Sequence, residues 1–438
     1  MHTRDFSGKS VCILGFGREG RAMAEALKKY APGCRISVAD RNEQLTMDNG
    51  QWKNVSFQLG ERYLENLDSF DVVIKSPGIP PLPELKAHNS KLITSTQIFF
   101  DSIAESGAIV IGVTGSKGKS TTSSLIFEIL KKAGKDAYLI GNIGSPAIGY
   151  IERSKKNTIF VQEMSSAQLS DLTKSPQIAV VTAFFPEHLD YHGSLEAYQL
   201  AKTNIARFQN KNDAIFFNST SAECKAIAAK SIGEKIPFFV NDAPVRIEET
   251  RLIGNHNLSN IAAAFLVSRR LGIPDDVAIH AIKEFRGLPH RLESLGIHHG
   301  IEWIDDSIST TPESAIAALD ALGNRVATLI LGGLDRGYDF TSLAQRLKQS
   351  SVQTAILLPD SGSTIRKAIA EAGAKMKCIE VKTMEETVTQ AIKCTTHDKP
   401  LTTHSPIVLL SPASPSYGMF KNFEDRGNQF RKYAEKKK

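Results

Sequence analysis

The segment "TGSKGKST", residues 114 to 121, brings glycine, lysine and hydroxyl side chains together in an order that suits phosphate binding. An apolar run, residues 108 to 113, precedes it and helical periodicity begins near Lys119, so we predict a strand, a loop and a helix. Backbone N–H groups of such a loop and of the helix N-terminus converge on anionic oxygens. The Lys119 ammonium can neutralise phosphate charge, and the Ser120 hydroxyl can ligate Mg²⁺. The loop departs from the standard G-x-x-x-x-G-K-[ST] pattern, because Val113 stands where that pattern has a glycine.

A second glycine pattern, "GFGREG", occupies residues 15 to 20 after an apolar run, and Asp40 follows about 20 residues later. This pattern is typical of dinucleotide-binding turns, which makes an NAD-dependent oxidoreductase one hypothesis. A nicotinamide enzyme does not normally carry a second phosphate loop in the next region. We therefore favour the alternative that this turn holds the pyrophosphate of a nucleotide substrate.

The elements that must position these loops follow a strand-then-helix alternation along all 438 residues. We predict an α/β protein of three domains with mostly parallel sheets: a Rossmann-like domain at residues 1–97, a P-loop ATPase-like domain at 98–287 and a Rossmann-like domain at 288–438. Apolar runs of membrane-spanning length are absent from the sequence, and its start does not read as a signal peptide. We expect a cytoplasmic protein without a membrane partner.

The composition, with 41% hydrophobic and 23% charged residues, is that of an ordinary globular protein. The net charge of +6 is spread along the chain, without the interleaved basic and aromatic residues that a nucleic-acid surface needs. A nucleotide-dependent regulator or nucleic-acid module is thus the weaker hypothesis. The five cysteines show no metal-ligand spacing, and we expect reduced thiols and a monomer.

Nine segments together resemble the Mur ligase family in their order along nearly the whole chain: "GVTGSKGKSTT", "GNIGSP", "VQEMSSAQL", "PEHLDYHGSLEAYQLAK", "GNHNLSNIAAA", "GLPHRLE", "WIDDSISTTPES", "LGGLDRGYDF" and "SPASPSYGMFKNFEDRGNQF". Within that family, "HLDYH", "GLPHR" and the closing segment are similar to the branch that adds glutamate to UDP-N-acetylmuramoyl-L-alanine in cytoplasmic peptidoglycan precursor synthesis. Other Mur ligases and folylpolyglutamate-type enzymes are the nearest alternatives.

The resemblance implies an ATP- and Mg²⁺-dependent ligase that works through an acyl phosphate. A carboxylate is a poor electrophile, and phosphorylation gives it a leaving group that an amine can displace. Catalysis then depends on positioning and charge neutralisation and needs no nucleophilic cysteine. The catalytic residues implied are Lys119, Glu163, His188 and Lys202, where Lys202 matches a family lysine that CO₂ carbamylates. The implied metal ligands are Ser120, Glu163, His188 and Lys202.

The remaining site residues are carried over from family positions by the same motifs. For ATP the resemblance implies Gly115, Ser116, Lys117, Gly118, Lys119, Ser120, Thr121, Asn260, Arg291 and Asp306. For the UDP substrate it implies Gly15, Phe16, Gly17, Arg18, Asp40, Ser76, Gly78 and Asn142. For glutamate it implies Thr310, Arg336, Ser416 and Phe423.

Two departures from the family pattern concern the glutamate. Ile308 stands where many D-glutamate-adding members have lysine, and Arg336 replaces a lysine that often contacts the glutamate side chain. Arginine keeps the charge but has a different reach and a forked geometry. "DSISTTPES" also looks closer to a branch that adds L-glutamate. D-glutamate is therefore the family default, and L-glutamate stays open as an alternative.

Overall fold

The computed structural model describes residues 1–45, 52–86, 92–397 and 405–436, and every predicted site residue lies within these ranges. The described residues form three sheets, one in each of the three predicted regions. The α/β fold class is therefore confirmed, while the predicted domain boundaries stay predictions. By its packing the chain divides into unit 1, Met1–Arg246 with Leu258–Lys283, and unit 2, Ile247–Asn257 with Glu284–Lys438. The first two sheets belong to unit 1 and the third belongs to unit 2.

The first sheet has five parallel strands in the order β3-β2-β1-β4-β5. The strands are β1 Ser10–Leu14, β2 Arg35–Asp40, β3 Val55–Leu59, β4 Val72–Lys75 and β5 Leu92–Thr94. The helices are α1 Arg18–Tyr30, α2 Pro83–Lys86 and α3 Ser95–Ile103. β1 and β4 are short apolar runs buried along almost their whole length, as expected when a parallel sheet is covered on both faces. Their carboxyl ends carry the "GFGREG" turn and the "SPGIP" loop.

The second sheet has six parallel strands in the order β11-β10-β9-β6-β8-β7. The strands are β6 Ile109–Thr114, β7 Ala137–Gly141, β8 Ile159–Glu163, β9 Ile178–Val181, β10 Ala214–Asn218 and β11 Glu234–Phe238. The helices are α4 Lys119–Lys132, α5 Ser166–Leu169, α6 Leu189–His192, α7 Leu195–Arg207, α8 Ala222–Ala228, α9 His256–Arg270 and α10 Asp275–Glu284. The predicted strand, loop and helix around residues 108 to 119 are thus confirmed. β6 lies between β8 and β9, so the loops that follow these three strands meet at one edge of the sheet.

The third sheet has the order β12-β13-β17-β14-β15-β16, and all its pairings are parallel except that of β12 with β13. The strands are β12 Glu293–His298, β13 Ile301–Asp305, β14 Val326–Gly333, β15 Thr354–Asp360, β16 Lys377–Glu380 and β17 Ile407–Leu410. The helices are α11 Pro312–Leu322, α12 Thr341–Lys348, α13 Ser361–Glu371, α14 Met384–His397 and α15 Phe423–Ala434. Two apolar clusters cover its faces, one built with α11 to α13 and the other with α14 and α15. Alternate residues of β14, such as Leu329 and Ile330, serve opposite clusters because side chains of a strand alternate.

Among the helices that the described residues form, none combines the length and the apolar character that crossing a bilayer requires.

Close packing of α1 on the first glycine turn depends on the absence of a side chain at Gly20. A Cβ at Gly20 would lie 2.1 Å from the carbonyl oxygen of Gly15 and 3.3 Å from a methyl carbon of Ile13. The nearest atom belongs to the backbone, so rotation of a side chain cannot relieve the clash. The third glycine of the pattern therefore sets how closely helix and turn approach.

We expect Gly20→Ala to destabilise unit 1 by roughly 1–3 kcal/mol, because the added methyl overpacks a site that cannot yield without a backbone shift. The measurement is the free energy of unfolding in urea. Gly149→Ala is the matched control, since a Cβ there meets no atom within 4 Å. Equal stability of the two variants would contradict the prediction.

Candidate active site

The phosphate loop joins β6 to α4 and has a backbone that requires glycine at two positions. Gly115 has φ +149° and Gly118 has φ +85°, a region that favours glycine. A Cβ at Gly115 would lie 2.1 Å from Oγ1 of Thr182, and one at Gly118 would lie 2.4 Å from Oδ1 of Asn260. The loop therefore packs against Thr182, which follows β9, and against Asn260 of α9. Asn260, predicted from sequence to serve the nucleotide, does lie against this loop.

Lys119 folds back across the loop instead of extending away from it. Its Nζ donates to the carbonyl oxygens of Gly115 and Ser116, both at 2.8 Å. The Ser116 hydroxyl lies 2.9 Å from the Tyr198 hydroxyl and accepts from the backbone N–H of Phe185. The ammonium is thus held at the backbone of the loop, where it can neutralise phosphate charge.

Glu163 ends β8 directly beside the end of β6, because Val113 and Glu163 are register partners. Its side chain is 1% exposed. Oε1 accepts from Nδ2 of Asn142 at 2.8 Å, whereas Oε2 is buried without a hydrogen-bond partner among the described residues. Burying an unpaired carboxylate oxygen is costly unless a cation or a donor completes it. This orphaned oxygen fits the predicted metal-ligand role.

Lys202 extends from α7 to the phosphate loop and is 1% exposed. Its Nζ donates to the carbonyl oxygen of Gly115 at 3.0 Å and lies 4.7 Å from the ring centroid of Tyr198. Burial, with the nearby positive charge of Lys119, lowers the pKa of Lys202 to about 7. A buried lysine with a partly neutral amine at physiological pH is unusual, and it marks this position as a functional candidate.

The segment "HLDYH" carries the predicted His188 and ends in His192. His188 is exposed, has φ +55°, and its ring centroid lies 6.2 Å from that of Tyr198. His192 is half-buried, and its Nε2 lies 2.9 Å from the Ser166 hydroxyl. Burial, followed by the charges of His188 and Lys202, lowers the pKa of His192. Tyr198 therefore links the histidine segment to Lys202.

Among the described residues, Glu163 and His188 do not form a cluster with a third acidic or imidazole side chain. Within the described part of the chain, only His290, Glu293 and Asp305 bring three metal-type ligand atoms within 4.8 Å of one another. In that group, His290 Nδ1 lies 2.7 Å from the buried Asp305 carboxylate, whose hydrogen bond raises the pKa of His290. We interpret His290 and Asp305 as an ion pair inside unit 2.

The UDP-substrate residues predicted in the first sheet are gathered around the turn that follows β1. The Asp40 carboxylate accepts from the backbone N–H groups of Phe16 at 2.6 Å and Asn42 at 2.8 Å. The Ser76 hydroxyl donates to the carbonyl oxygen of Gly15 at 2.7 Å. Phe16 contributes through its backbone, because its ring is buried against Trp52 and Phe57. Asp40 thus shapes the turn in addition to any contact with ligand.

Arg18 and Asn142 bring this turn next to the second sheet within unit 1. The Arg18 guanidinium donates to the carbonyl oxygens of Gly141, Asn142 and Gly144 at 2.8 to 3.2 Å. The amide of Asn142 in turn holds Glu163. The first glycine turn is therefore connected to the buried carboxylate through two residues that the sequence had assigned to the substrate. Gly78 lies on an exposed part of the "SPGIP" loop.

The glutamate residues predicted in unit 2 lie on loops that leave the carboxyl ends of β13, β14 and β17. Thr310 follows β13, Arg336 follows β14, and Ser416 follows β17, while Phe423 begins α15. Ser416 is buried, Arg336 is exposed, and Thr310 and Phe423 are half-buried. The structure thus places them at one edge of the third sheet.

Arg426, quoted in a motif but not assigned a role from sequence, ties these loops together. Its guanidinium is completely buried and donates to the Oγ and carbonyl oxygen of Ser307 and to the carbonyl oxygen of Ser414. The Ser307 hydroxyl then donates to the carbonyl oxygen of Phe423 at 2.8 Å. The sequence showed an arginine in "NFEDRG" but not its burial, and its partners are 119 residues away or on another loop.

Arg291 and Asp306, predicted for the nucleotide, have contrasting settings in unit 2. Arg291 is exposed. The pKa of His256 is lowered mainly by the burial of His256 and secondly by the positive charge of Arg291. Asp306 is 3% exposed and accepts from the hydroxyls of Ser309 and Ser411. Burial raises the pKa of Asp306 to about 6 despite these hydrogen bonds. A ribose hydroxyl would have to share a carboxylate that is already well occupied.

The raised pKa of Asp306 gives unit 2 a pH-dependent stability. The folded state binds this proton more tightly than the unfolded chain, so the contribution is complete below the unfolded pKa and is lost as the pH rises through about 6. From pH 4 to pH 7 we expect the wild type to lose about 2 kcal/mol of unfolding free energy relative to Asp306→Asn, which cannot ionise. Fluorescence of the buried Trp303 in a Trp52→Phe background follows the transition of unit 2. A pH-independent difference would contradict the prediction.

Comparison with known proteins agrees with this arrangement over nearly the whole chain. Two family models match, the Mur ligase middle domain at residues 113–268 and the Mur ligase, glutamate ligase domain at residues 290–412. A UDP-N-acetylmuramoyl-L-alanine–L-glutamate ligase of Salinispora tropica is 34% identical, covering 98% of each chain. A UDP-N-acetylmuramoylalanine–D-glutamate ligase of Streptococcus agalactiae serotype III is 32% identical, covering 97% of this chain and 96% of its own.

Solved structures with similar folds include two from Thermotoga maritima. The MurF ligase in complex with ADP has a TM-score of 0.58 at 15% identity, covering 99% of this chain and 97% of its own. The UDP-N-acetylmuramate-alanine ligase MurC has a TM-score of 0.57 at 16% identity, covering 97% of this chain and 98% of its own. At that identity they support the fold alone. The family models, the full-length relatives and the phosphate loop with its buried glutamate and lysine agree, and the chain belongs to the Mur ligase family.

Proposed function

We propose that this protein is an ATP-dependent ligase that joins glutamate to UDP-N-acetylmuramoyl-L-alanine in peptidoglycan precursor synthesis. One observation carries the proposal: the phosphate loop, the buried Glu163 and the buried Lys202 converge at the carboxyl ends of neighbouring parallel strands. The names of the full-length relatives supply the substrates, because they describe ligases that act on UDP-N-acetylmuramoylalanine and glutamate.

The chemistry balances in two steps. A carboxylate oxygen of the UDP substrate attacks the γ-phosphorus of ATP, and ADP leaves with the bonding electron pair. The glutamate amine then attacks the acyl carbon, inorganic phosphate leaves, and the amine loses a proton. Lys119, poised over the loop by the carbonyls of Gly115 and Ser116, would neutralise charge on the transferred phosphoryl group.

The residues present fit a Mg²⁺ ion. Hard oxygen ligands suit this ion, and Oε2 of Glu163 is a buried oxygen that such a cation would complete. The Ser120 hydroxyl at the start of α4 and His188 complete the proposed set, together with a carbamate on Lys202. When bound, the ion would supply positive charge beside the phosphates. Asn142, by holding Oε1, fixes which carboxylate oxygen of Glu163 is available.

Carbamylation of Lys202 is chemically accessible in this site. CO₂ reacts with the neutral amine: a C–N bond forms, one proton is released, and an ammonium becomes an anionic group. With a pKa lowered to about 7, the amine of Lys202 is far more often neutral at pH 7 than that of an ordinary lysine. The nearby Lys119 ammonium would stabilise the resulting anion as it now disfavours the cation.

We assign glutamate to the loops of unit 2 that Arg426 ties together. The Arg336 guanidinium can pair with a carboxylate of the amino acid, and Ser416 and Thr310 offer hydroxyl donors. Phe423 gives the site an apolar side. Arg291 and Asp306, from the same unit, are proposed for phosphate and ribose, and Asn260 for adenine.

D-glutamate is the family default for the amino acid, and L-glutamate is the second candidate. Ile308 favours the second candidate, because a half-buried apolar side chain stands where many D-glutamate-adding members have lysine. Relatives named for each isomer match this chain over nearly its full length. We further propose a monomer in the cytoplasm, where ATP and nucleotide sugars are available, with neither a nucleic-acid nor a membrane partner.

The test is release of phosphate from ATP with Mg²⁺ and UDP-N-acetylmuramoyl-L-alanine, in parallel with D-glutamate, L-glutamate and no amino acid. We expect turnover with one enantiomer and product whose mass equals that of the two acids less one water. Glu163→Gln should reduce turnover at least a hundredfold, since removal of one electrostatic stabiliser costs about that much. Absence of turnover with both enantiomers would refute the proposal.

Carbamylation predicts that ¹³C-labelled bicarbonate at pH 7.5 gives a carbamate signal in the carbon NMR spectrum of the wild type. The signal should be absent from Lys202→Gln and retained in Lys211→Gln, which removes an exposed lysine of the same unit. It should fade below pH 6, because protonation of the amine removes the nucleophile. Equal signals in all three proteins would contradict the assignment.

A further inference from the structure

The carbonyl oxygen of Ile79 in the "SPGIP" loop receives two hydrogen bonds from side chains. The Tyr191 hydroxyl donates to it at 3.0 Å, and Nζ of Lys75 donates at 3.3 Å. Ile79 also packs against the first glycine turn, since a Cβ at Gly15 would lie 3.2 Å from its Cγ1. The Ser76 hydroxyl also donates to the carbonyl oxygen of Gly15, so two residues of the loop contact the turn. Both donors therefore act on the proposed UDP-substrate site.

Tyr191 connects this loop to the segment that carries His188. It lies in α6, its neighbour His192 is bonded to Ser166, and the two rings are 4.8 Å apart. Burial and the Asp171 carboxylate raise the pKa of Tyr191, so the phenol keeps its proton and remains a donor throughout the physiological range. The hydroxyl of Tyr191 thus connects the "HLDYH" segment, which follows the second sheet's β9, to the "SPGIP" loop of the first sheet.

Lys75 connects the same carbonyl to a third segment. It ends β4, is 5% exposed, and its Nζ lies 2.7 Å from Oδ2 of Asp171, which follows α5. A buried ammonium is tolerated only when it is paired and hydrogen-bonded, so its position is tightly defined by these two acceptors. The catalytic scheme above leaves Tyr191, Lys75 and Asp171 without a chemical role.

We propose that Tyr191, supported by the Lys75–Asp171 ion pair, is a positioning residue that fixes the UDP-substrate loop relative to the phosphate-transfer site. The role rests on the ligase reaction proposed above, in which the substrate carboxylate must meet ATP while its UDP group is held at the first sheet. An error of about 1 Å in such an alignment lowers rates by about a hundredfold in unfavourable cases. The hydroxyl of Tyr191 acts through Ile79 and touches no reacting atom.

The experiment compares Tyr191→Phe with the wild type by steady-state kinetics on the full chain. The variant loses only the hydroxyl, so we expect kcat/KM for UDP-N-acetylmuramoyl-L-alanine to fall about five- to tenfold, the effect of one hydrogen bond. The KM values for ATP and glutamate should stay within twofold. Tyr150→Phe is the matched control, because the Tyr150 hydroxyl makes no hydrogen bond in the described part of unit 1 and should leave all constants unchanged.

A double-mutant cycle tests whether the two donors act through the same carbonyl. Lys75→Met and Tyr191→Phe combined should lower kcat/KM by less than the product of their separate effects, because they share one acceptor. Lys75→Arg, which keeps a cation for Asp171, should retain most of the activity that Lys75→Met loses. If the double variant lowers kcat/KM by the full product of the two separate effects, the two residues act independently. That result would overturn the proposal that they act through the same carbonyl.

Amide hydrogen exchange separates this inference from the proposed function. Residues 76–80 should exchange faster in Tyr191→Phe than in the wild type or Tyr150→Phe, whether or not the protein is a glutamate ligase. Faster exchange with unchanged kinetics, or equal losses toward all three substrates, would reduce Tyr191 to a structural residue and overturn the proposal. If the wild type has no glutamate-dependent turnover, the proposed function fails, and unchanged exchange would independently show that the contact does not hold the loop.

Discussion

A carboxylate buried beside a loop shaped for anions is the constraint on which the active-site arrangement depends. Glu163 has one oxygen held by Asn142 and one oxygen without a partner, in a position that water barely reaches. Such an arrangement is unfavourable unless a cation or a hydrogen-bond donor compensates the carboxylate. The Nζ atoms of Lys119 and Lys202 both donate to the carbonyl oxygen of Gly115 in this loop. Binding of nucleotide and metal would compensate the carboxylate oxygen of Glu163 that has no partner in the folded protein.

Each of the three sheets carries its predicted site residues in the same way. In each, parallel strands end at one edge, and the loops that leave that edge carry predicted site residues. What differs is how the loops are held. In the second sheet a glycine backbone and Asn260 close the loop, in the first Ser76 and Asp40 bond to the turn, and in the third the buried Arg426 joins separate loops. Rigid supports of this kind suit a reaction that depends on alignment more than on an enzyme nucleophile.

The sequence predicted the elements and the loops well, because both are set by local pattern. The apolar run before Thr114 and the periodicity after Lys119 gave the strand and helix, and glycine spacing marked both turns. Contacts between distant segments were beyond its reach. Tyr191 and Ile79 are 112 positions apart, and Arg426 and Ser307 are 119 apart, so neither bond has a periodicity or spacing that could reveal it. Phe16 is a further example. The glycine pattern predicted its place in the turn, but not that its ring is buried.

That ring has a spectroscopic consequence. Phe16 meets Trp52 edge to face at 5.1 Å, Lys28 lies 4.2 Å above the Trp52 ring, and the backbone of Phe16 is part of the glycine turn. Indole emission responds to nearby charge and to small changes in packing. The chain has two tryptophans, and the other, Trp303, lies in unit 2. The emission of Trp52 should therefore respond to changes at the first glycine turn, without an attached dye or a coupled assay.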